Sequence, residues 1–118
     1  MLKHLWPLLI LLTPPAFAEP PVVDHVSARQ SANGSWRFDV TISHPDTGWG
    51  HYADAWRVLD MEGTQLGIRE LAHPHVEEQP FTRSLSGVRI PEGTTKVQVQ
   101  ARDKPGGWSS QTKMVTLR

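Results

Sequence analysis

Residues 35–43 read Ser-Trp-Arg-Phe-Asp-Val-Thr-Ile-Ser, and this stretch decides the fold class. Its apolar side chains occupy every second position, as Trp36, Phe38, Val40 and Ile42, with polar residues between them. A period of two places these side chains on one face of an extended strand, whereas a helix needs a period of about 3.6. The stretch therefore predicts a β-strand with one face buried in a core.

The same alternation extends along the chain in both directions, separated by turn sequences such as Asn33-Gly34 and Glu62-Gly63. It predicts seven strands and no helical run, with the strands at residues 22–30, 35–43, 55–61, 65–72, 81–86, 96–102 and 111–118. Short strands with turns at regular spacing predict an all-β fold, a seven-stranded antiparallel β-sandwich. The predicted core consists of Trp36, Phe38, Val40, Ile42, Trp56, Val58, Leu85, Val97, Val99, Val115 and Leu117.

Composition excludes several functional classes. The chain has 118 residues with 12 basic and 12 acidic side chains, and this neutral balance argues against a nucleic-acid partner. It contains no cysteine, which excludes disulfides, thiolate metal sites and cysteine nucleophiles, and predicts that no lipid is attached through a cysteine.

Residues 1–18 have the pattern of a signal peptide. Lys3 precedes an apolar run at residues 5–12, and Ala16-Phe-Ala18 matches a signal peptidase site. The run is much shorter than the roughly 20 residues that a transmembrane helix needs. We therefore expect a signal peptide at 1–18 and one domain at 19–118, with no membrane span in the mature chain, located in the periplasm or secreted.

Residues 81–118 resemble the last third of a fibronectin type III domain. The residues that carry the resemblance are Leu85-Ser-Gly-Val88, Ile90-Pro-Glu-Gly93, Val97-Gln-Val-Gln-Ala101 and the glycine-rich turn at 105–107. The whole chain is similar to small exported bacterial proteins of unknown function that carry a fibronectin-III/immunoglobulin-like domain. This resemblance implies a fibronectin-III/Ig-like sandwich and implies no activity.

In a sandwich of this topology, the loops at residues 44–54, 73–80 and 103–108 gather at one end. Four histidines lie in the first two loops, namely His44, His51, His73 and His75. Imidazoles without thiolates suit copper or zinc, and Pro74 would hold His73 and His75 as a stiff pair. Carboxylates that could add oxygen ligands are Asp46, Asp54, Glu77 and Glu78. In the alternative interpretation, the histidines only hydrogen-bond loop backbone or cap a strand.

Three aromatic residues occupy the same loops: Trp49, Tyr52 and Trp108. They could form a binding platform for a sugar or a peptide. In the alternative interpretation, the loop tryptophans cover the open end of the core.

No nucleophile elbow, phosphate-binding glycine loop or dinucleotide motif is present, so we expect the protein not to be an enzyme. Two function classes remain open. The first is an exported interaction module that binds an unknown protein or envelope component. The second is a periplasmic metal-binding protein that uses the loop histidines to hold Cu or Zn.

Overall fold

Eight β-strands run through residues 19–118, the part of the chain that the computed structural model describes. They are β1 (Val22–Gln30), β2 (Trp36–Ser43), β3 (Tyr52–Leu59), β4 (Gln65–Glu70), β5 (Phe81–Val88), β6 (Lys96–Lys104), β7 (Gly107–Trp108) and β8 (Lys113–Thr116). The predicted signal peptide at 1–18 lies outside the described residues. Across residues 19–118, the structure has no helix with the length and apolar character needed to cross a membrane.

The strands form two antiparallel sheets. One sheet has the order β1-β2-β5, and the other has the order β4-β3-β6, with β7 and β8 both paired to the remaining edge of β6. This arrangement confirms the predicted all-β sandwich. The fibronectin-III/Ig-like part of the prediction remains a resemblance.

The strand count is eight rather than the predicted seven, because the last strand is interrupted. After β6, the turn at residues 105–106 returns the chain at once, and Gly107 pairs with Asp103 while Trp108 pairs with Arg102. The amide of Ser109 still donates to the carbonyl of Ala101, and residues 110–112 then leave the ladder before β8 pairs with the start of β6. The segment 103–108, predicted as a loop, is therefore mostly a tight hairpin.

The core lies between the sheets and follows the predicted alternation. Every apolar residue of β2 is buried, and Phe38, Val40 and Ile42 have no exposed surface. Of the other predicted core residues, Trp56, Val58, Val97 and Val99 are fully buried, whereas Leu85, Val115 and Leu117 are half-buried against the core. The structure adds Ala53, Leu71, Phe81, Val88 and Ala101.

One end of the sandwich carries the polar residues of interest. β2 ends at Ser43 and β3 begins at Tyr52, so residues 44–51 cross from one sheet to the other. The segment at 71–80, between β4 and β5, and the turn after β6 lie at the same end. Hydrogen bonds between these segments, described below, show that they meet there. We refer to residues 44–51, 71–80 and 103–106 together as the loop end.

Candidate functional site: a histidine and aspartate cluster at the loop end

Three side chains at the loop end, His44, His51 and Asp103, bring their donor atoms together. One ligand atom from each lies within 4.8 Å of the other two. Nε2 of His44 lies 3.1 Å from Oδ2 of Asp103, and Nε2 of His51 lies 3.8 Å from the same oxygen. We call these three residues the donor triad.

Strand geometry explains why two members of the triad are buried. His44 occupies the next inward position after Ile42 in the alternating row of β2, and Asp103 occupies the next inward position after Ala101 in β6. Each row thus ends in a polar side chain at the open end of the core. The side chain of His44 is 0% exposed, and that of Asp103 is 4% exposed. Asp103 is not among the donors predicted from the sequence, although its place in this row was a usable signal.

Asp46 fixes the orientation of His44. Its Oδ1 accepts hydrogen bonds from Nδ1 of His44 at 2.5 Å and from the amide of Ala53 at 3.0 Å, while its Oδ2 accepts from the amide of His75 at 2.7 Å. A proton held on Nδ1 leaves Nε2 of a neutral imidazole as an acceptor or ligand. A carboxylate behind a histidine in this way is typical of metal-ligating histidines.

His51 contributes a polar atom without a partner. Its Nε2 is buried and makes no hydrogen bond with any group in residues 19–118. Burying an unpaired polar group costs free energy, and such groups are rare in folded proteins. The atom faces the carboxylate of Asp103, and the ring packs edge-on against His44 with centroids 4.6 Å apart. The site therefore has a potential metal-ligand atom without a hydrogen bond, next to the carboxylate of Asp103 and the ring of His44.

The side chains of the triad have the composition of a metal site. With a neutral ring, Nε2 of His44, Nε2 of His51 and Asp103 form a two-histidine, one-carboxylate ligand set of the kind that binds divalent transition metals. Tetrahedral zinc places its ligand atoms about 3–3.5 Å apart, so the three side chains need to move only a little to bind one zinc ion.

His73 and His75 lie at the loop end but form a separate pair, with ring centroids 4.7 Å apart. His75 is buried and stacks on Phe81 at 3.9 Å, and its Nε2 accepts a hydrogen bond from Arg83 at 2.9 Å. His73 is exposed and donates from Nδ1 to the carbonyl of Pro74. The structure thus brings together two of the four predicted histidines and assigns the other two different contacts.

The predicted aromatic platform is divided among different neighbours. Trp49 is 67% exposed, and its ring meets the buried ring of Tyr52 edge-on at 5.7 Å. Trp108 is half-buried, and the guanidinium groups of Arg57 and Arg102 lie 3.8 and 5.0 Å from its ring centre. Of these three aromatic residues, Trp49 alone is largely exposed.

The environment of His75 leads to a prediction about pH. Burial lowers the pKa of His75 below its ordinary value of 6.5, and Arg83 and His73 lower it further, whereas Asp46 and Glu78 act in the opposite direction. As pH falls through about 6.5, the unfolded chain takes up a proton at this position before the folded protein does. The contribution of neutral His75 to stability is therefore complete above that pH and decreases below it.

We expect the free energy of unfolding of wild type, relative to that of His75→Gln, to fall as pH is lowered from about 7.5 to about 5. Chemical denaturation of both proteins across this range measures the difference. His25→Gln, at an exposed position of β1 that does not contribute to the pKa shift of His75, serves as the control and should keep the wild-type slope. Parallel profiles for wild type and His75→Gln would contradict the prediction.

Comparison with known proteins gives one informative match. The chain is 41% identical over 97 residues to a protein of Halomicrobium mukohataei named "Putative lipoprotein". The match covers 82% of this chain and 47% of that protein, so the chain spans about half the length of its relative. No family model matches the sequence, and no solved structure matches it.

Proposed function

We propose that this protein binds a divalent transition metal, Zn(II) or Cu(II), at the donor triad. The observation that carries the proposal is the buried, unpartnered Nε2 of His51, which faces Asp103 and lies beside His44. A metal ion would satisfy this atom and would bridge it to the other two donors. Nitrogen and carboxylate donors without thiolate suit both metals, and the Irving–Williams order favours copper where both are present.

The surroundings support a site of this kind. Asp46 holds His44 with Nε2 towards the triad, and it binds the amides of Ala53 and His75 with the same carboxylate. The orientation of the ligand therefore depends on β3 and on the segment 71–80 as well as on its own loop. An orientation that is fixed before binding lowers the ordering cost on metal uptake.

We also propose that the domain is exported and acts in the cell envelope, in the periplasm or outside the cell, without catalysing a reaction. Two observations support export. Residues 1–18 have the signal-peptide pattern, and the Halomicrobium relative carries a lipoprotein name. Edman sequencing of protein from the envelope fraction tests this, since a first residue of Glu19 is expected and an intact Met1 would contradict export by this signal.

The variants His51→Ala and Asp103→Asn test the metal site. Each removes one donor of the triad, and each should lower the affinity for Zn(II) or Cu(II) by at least about a hundredfold, since outer-shell changes alone cost about 10- to 100-fold. Isothermal calorimetry of the purified protein near neutral pH measures the affinity. His73→Ala, which removes an exposed histidine outside the triad, should leave it unchanged.

Two results would contradict the proposal. One is a flat titration of the wild-type protein with both metals. The other is a loss of affinity in His73→Ala as large as the loss in His51→Ala, because the ligands would then lie in the segment 71–80.

Gly106 gives a second test, through the position of Asp103. A Cβ atom at residue 106 would lie 2.6 Å from Oδ1 of Asp103, so Gly106→Ala must displace the carboxylate. We expect an affinity loss of about 10- to 100-fold, the range for changes that misorient a ligand. In the control, Gly50→Ala, the new Cβ meets no atom within 4 Å, and the affinity should be retained. Equal affinities for the two variants would contradict the assignment of Asp103 as a ligand.

An interaction module is the second candidate function, and the exposure of Trp49 is the observation that favours it. Exposed tryptophans are common anchors in protein interfaces. The partner would be a protein or another envelope component. Isolated envelope fractions should retain the wild-type protein and release Trp49→Ala, and equal retention of both would remove this candidate.

A further inference from the structure

We infer that a metal ion at the donor triad keeps one coordination position open to solvent and binds a small monoanion there. This inference rests on the proposed metal site. It concerns which ligand the ion takes in addition to His44, His51 and Asp103. Three features of the structure support it: the number of protein donors, the path to solvent and the charge of the site.

The triad supplies three protein ligands. Among residues 19–118, the cluster of metal-ligating side chains contains His44, His51 and Asp103, and no fourth histidine or carboxylate joins it. Zinc in proteins is usually four-coordinate, and sites with three protein ligands leave the fourth position to an exogenous group. The triad alone therefore does not close the coordination sphere.

The nearest additional side chains are already engaged. Both oxygens of Asp46 accept hydrogen bonds, from the side chain of His44 and from two backbone amides. Nε2 of His75 accepts from Arg83, and its ring is held flat against Phe81. Its Nδ1 makes no hydrogen bond, but in this orientation it faces Oδ2 of Asp46 at 4.0 Å. Neither group can turn towards the ion without breaking these contacts, so neither supplies a fourth ligand.

Among the three side chains of the donor triad, that of His51 is the most exposed. The side chains of His44 and Asp103 are 0% and 4% exposed, whereas that of His51 is 19% exposed. The neighbouring loop residue Gly50 has open space where a side chain would stand. Because Nε2 of His51 is itself buried, a small ligand would reach the ion past the exposed edge of the His51 ring.

The charge of the site selects the kind of ligand. A divalent ion with one carboxylate and two neutral imidazoles leaves a net charge of +1 on the coordination sphere, because charge adds as +2 and −1. The carboxylate of Asp46 behind His44 offsets part of this charge without entering the coordination sphere, so the open position favours a monoanion over a dianion. Its size is limited because two of the three protein ligands are buried.

The test uses Co(II) as a spectroscopic probe in the purified full chain, with azide as the monoanion. Co(II) bound by the triad should give visible absorption bands that are absent in His51→Ala. Adding azide should then shift these bands in a saturable way, while sodium perchlorate at equal ionic strength should not. His73→Ala should show the same azide response, since His73 lies outside the triad.

Two outcomes would overturn the inference, and they are distinguishable. If Co(II) binds through the triad and azide leaves its bands unchanged, the ion has no open position, and the proposed metal site survives. If Co(II) gives no bands in the wild-type protein, the metal site and the open position both fail.

Discussion

Replacement of Asp46 by alanine should reduce the free energy of unfolding by about 3–5 kcal/mol, because each buried hydrogen-bond donor left without a partner costs about 1–3 kcal/mol. The carboxylate is buried and accepts three hydrogen bonds, from His44, Ala53 and His75. Its loss leaves three donors without a partner in a region that water hardly reaches. It also removes the hydrogen bond through which this carboxylate connects the segment 71–80 to the loop 44–51.

Urea denaturation in the presence of a chelator measures this effect without a contribution from bound metal. Asp46→Asn retains one acceptor oxygen and should cost less, about 1–3 kcal/mol. The control is Glu92→Ala, which removes an exposed carboxylate in the turn before β6 and should cost no more than about 1 kcal/mol. A loss below about 1 kcal/mol in Asp46→Ala would show that this carboxylate does not hold the loop end together.

Phe38→Ala should be equally costly, at about 3–5 kcal/mol, the range for emptying a buried aromatic site. Phe38 has no exposed surface and lies in the middle of β2, where it pairs with Ala28 on one side and Leu85 on the other. Alanine would leave a cavity between the two sheets, because the neighbouring strands hold one another in place.

Thermal or chemical denaturation of Phe38→Ala and of Arg37→Ala compares the contributions of the two faces of β2 to stability. The Arg37 side chain is 44% exposed, and its removal should change stability by about 0.5 kcal/mol or less. A loss below about 1 kcal/mol in Phe38→Ala would contradict the burial of this face.

The fold was predictable where the alternation was strong. β1 has the predicted bounds, and β2 differs from its prediction by one residue at its start. Prediction was weaker where tertiary contacts decide the structure. Tyr52 reads as a loop residue, yet it begins β3 because it pairs with Lys104 across the sheet. The interruption of the last strand at residues 109–112 has no period-two pattern that would show it.

The candidate site was predictable only in part. His44 and His51 belong to one loop whose ends are fixed by β2 and β3, so their proximity follows from local geometry. The contacts of His75 depend on Phe81 and Arg83, since Arg83 binds Nε2 of the ring that stacks on Phe81. A list of loop histidines contains no information about such contacts.

The burial of Asp103 was predictable from its position in β6. Its position continues the inward row of Val97, Val99 and Ala101, and a carboxylate in that row must be buried unless the strand ends first. Because buried carboxylates need partners, such a residue indicates a polar site inside the fold. The same reasoning applies to His44, which continues the inward row of β2.

Anomalous diffraction at the zinc edge, from crystals of the protein grown with Zn(II), tests the central claim most directly. The account predicts one strong anomalous peak at the loop end, about 2.0–2.1 Å from Nε2 of both His44 and His51, with Asp103 as the third protein ligand. A peak at His73 and His75 instead, or no peak within reach of the donor triad, would contradict it.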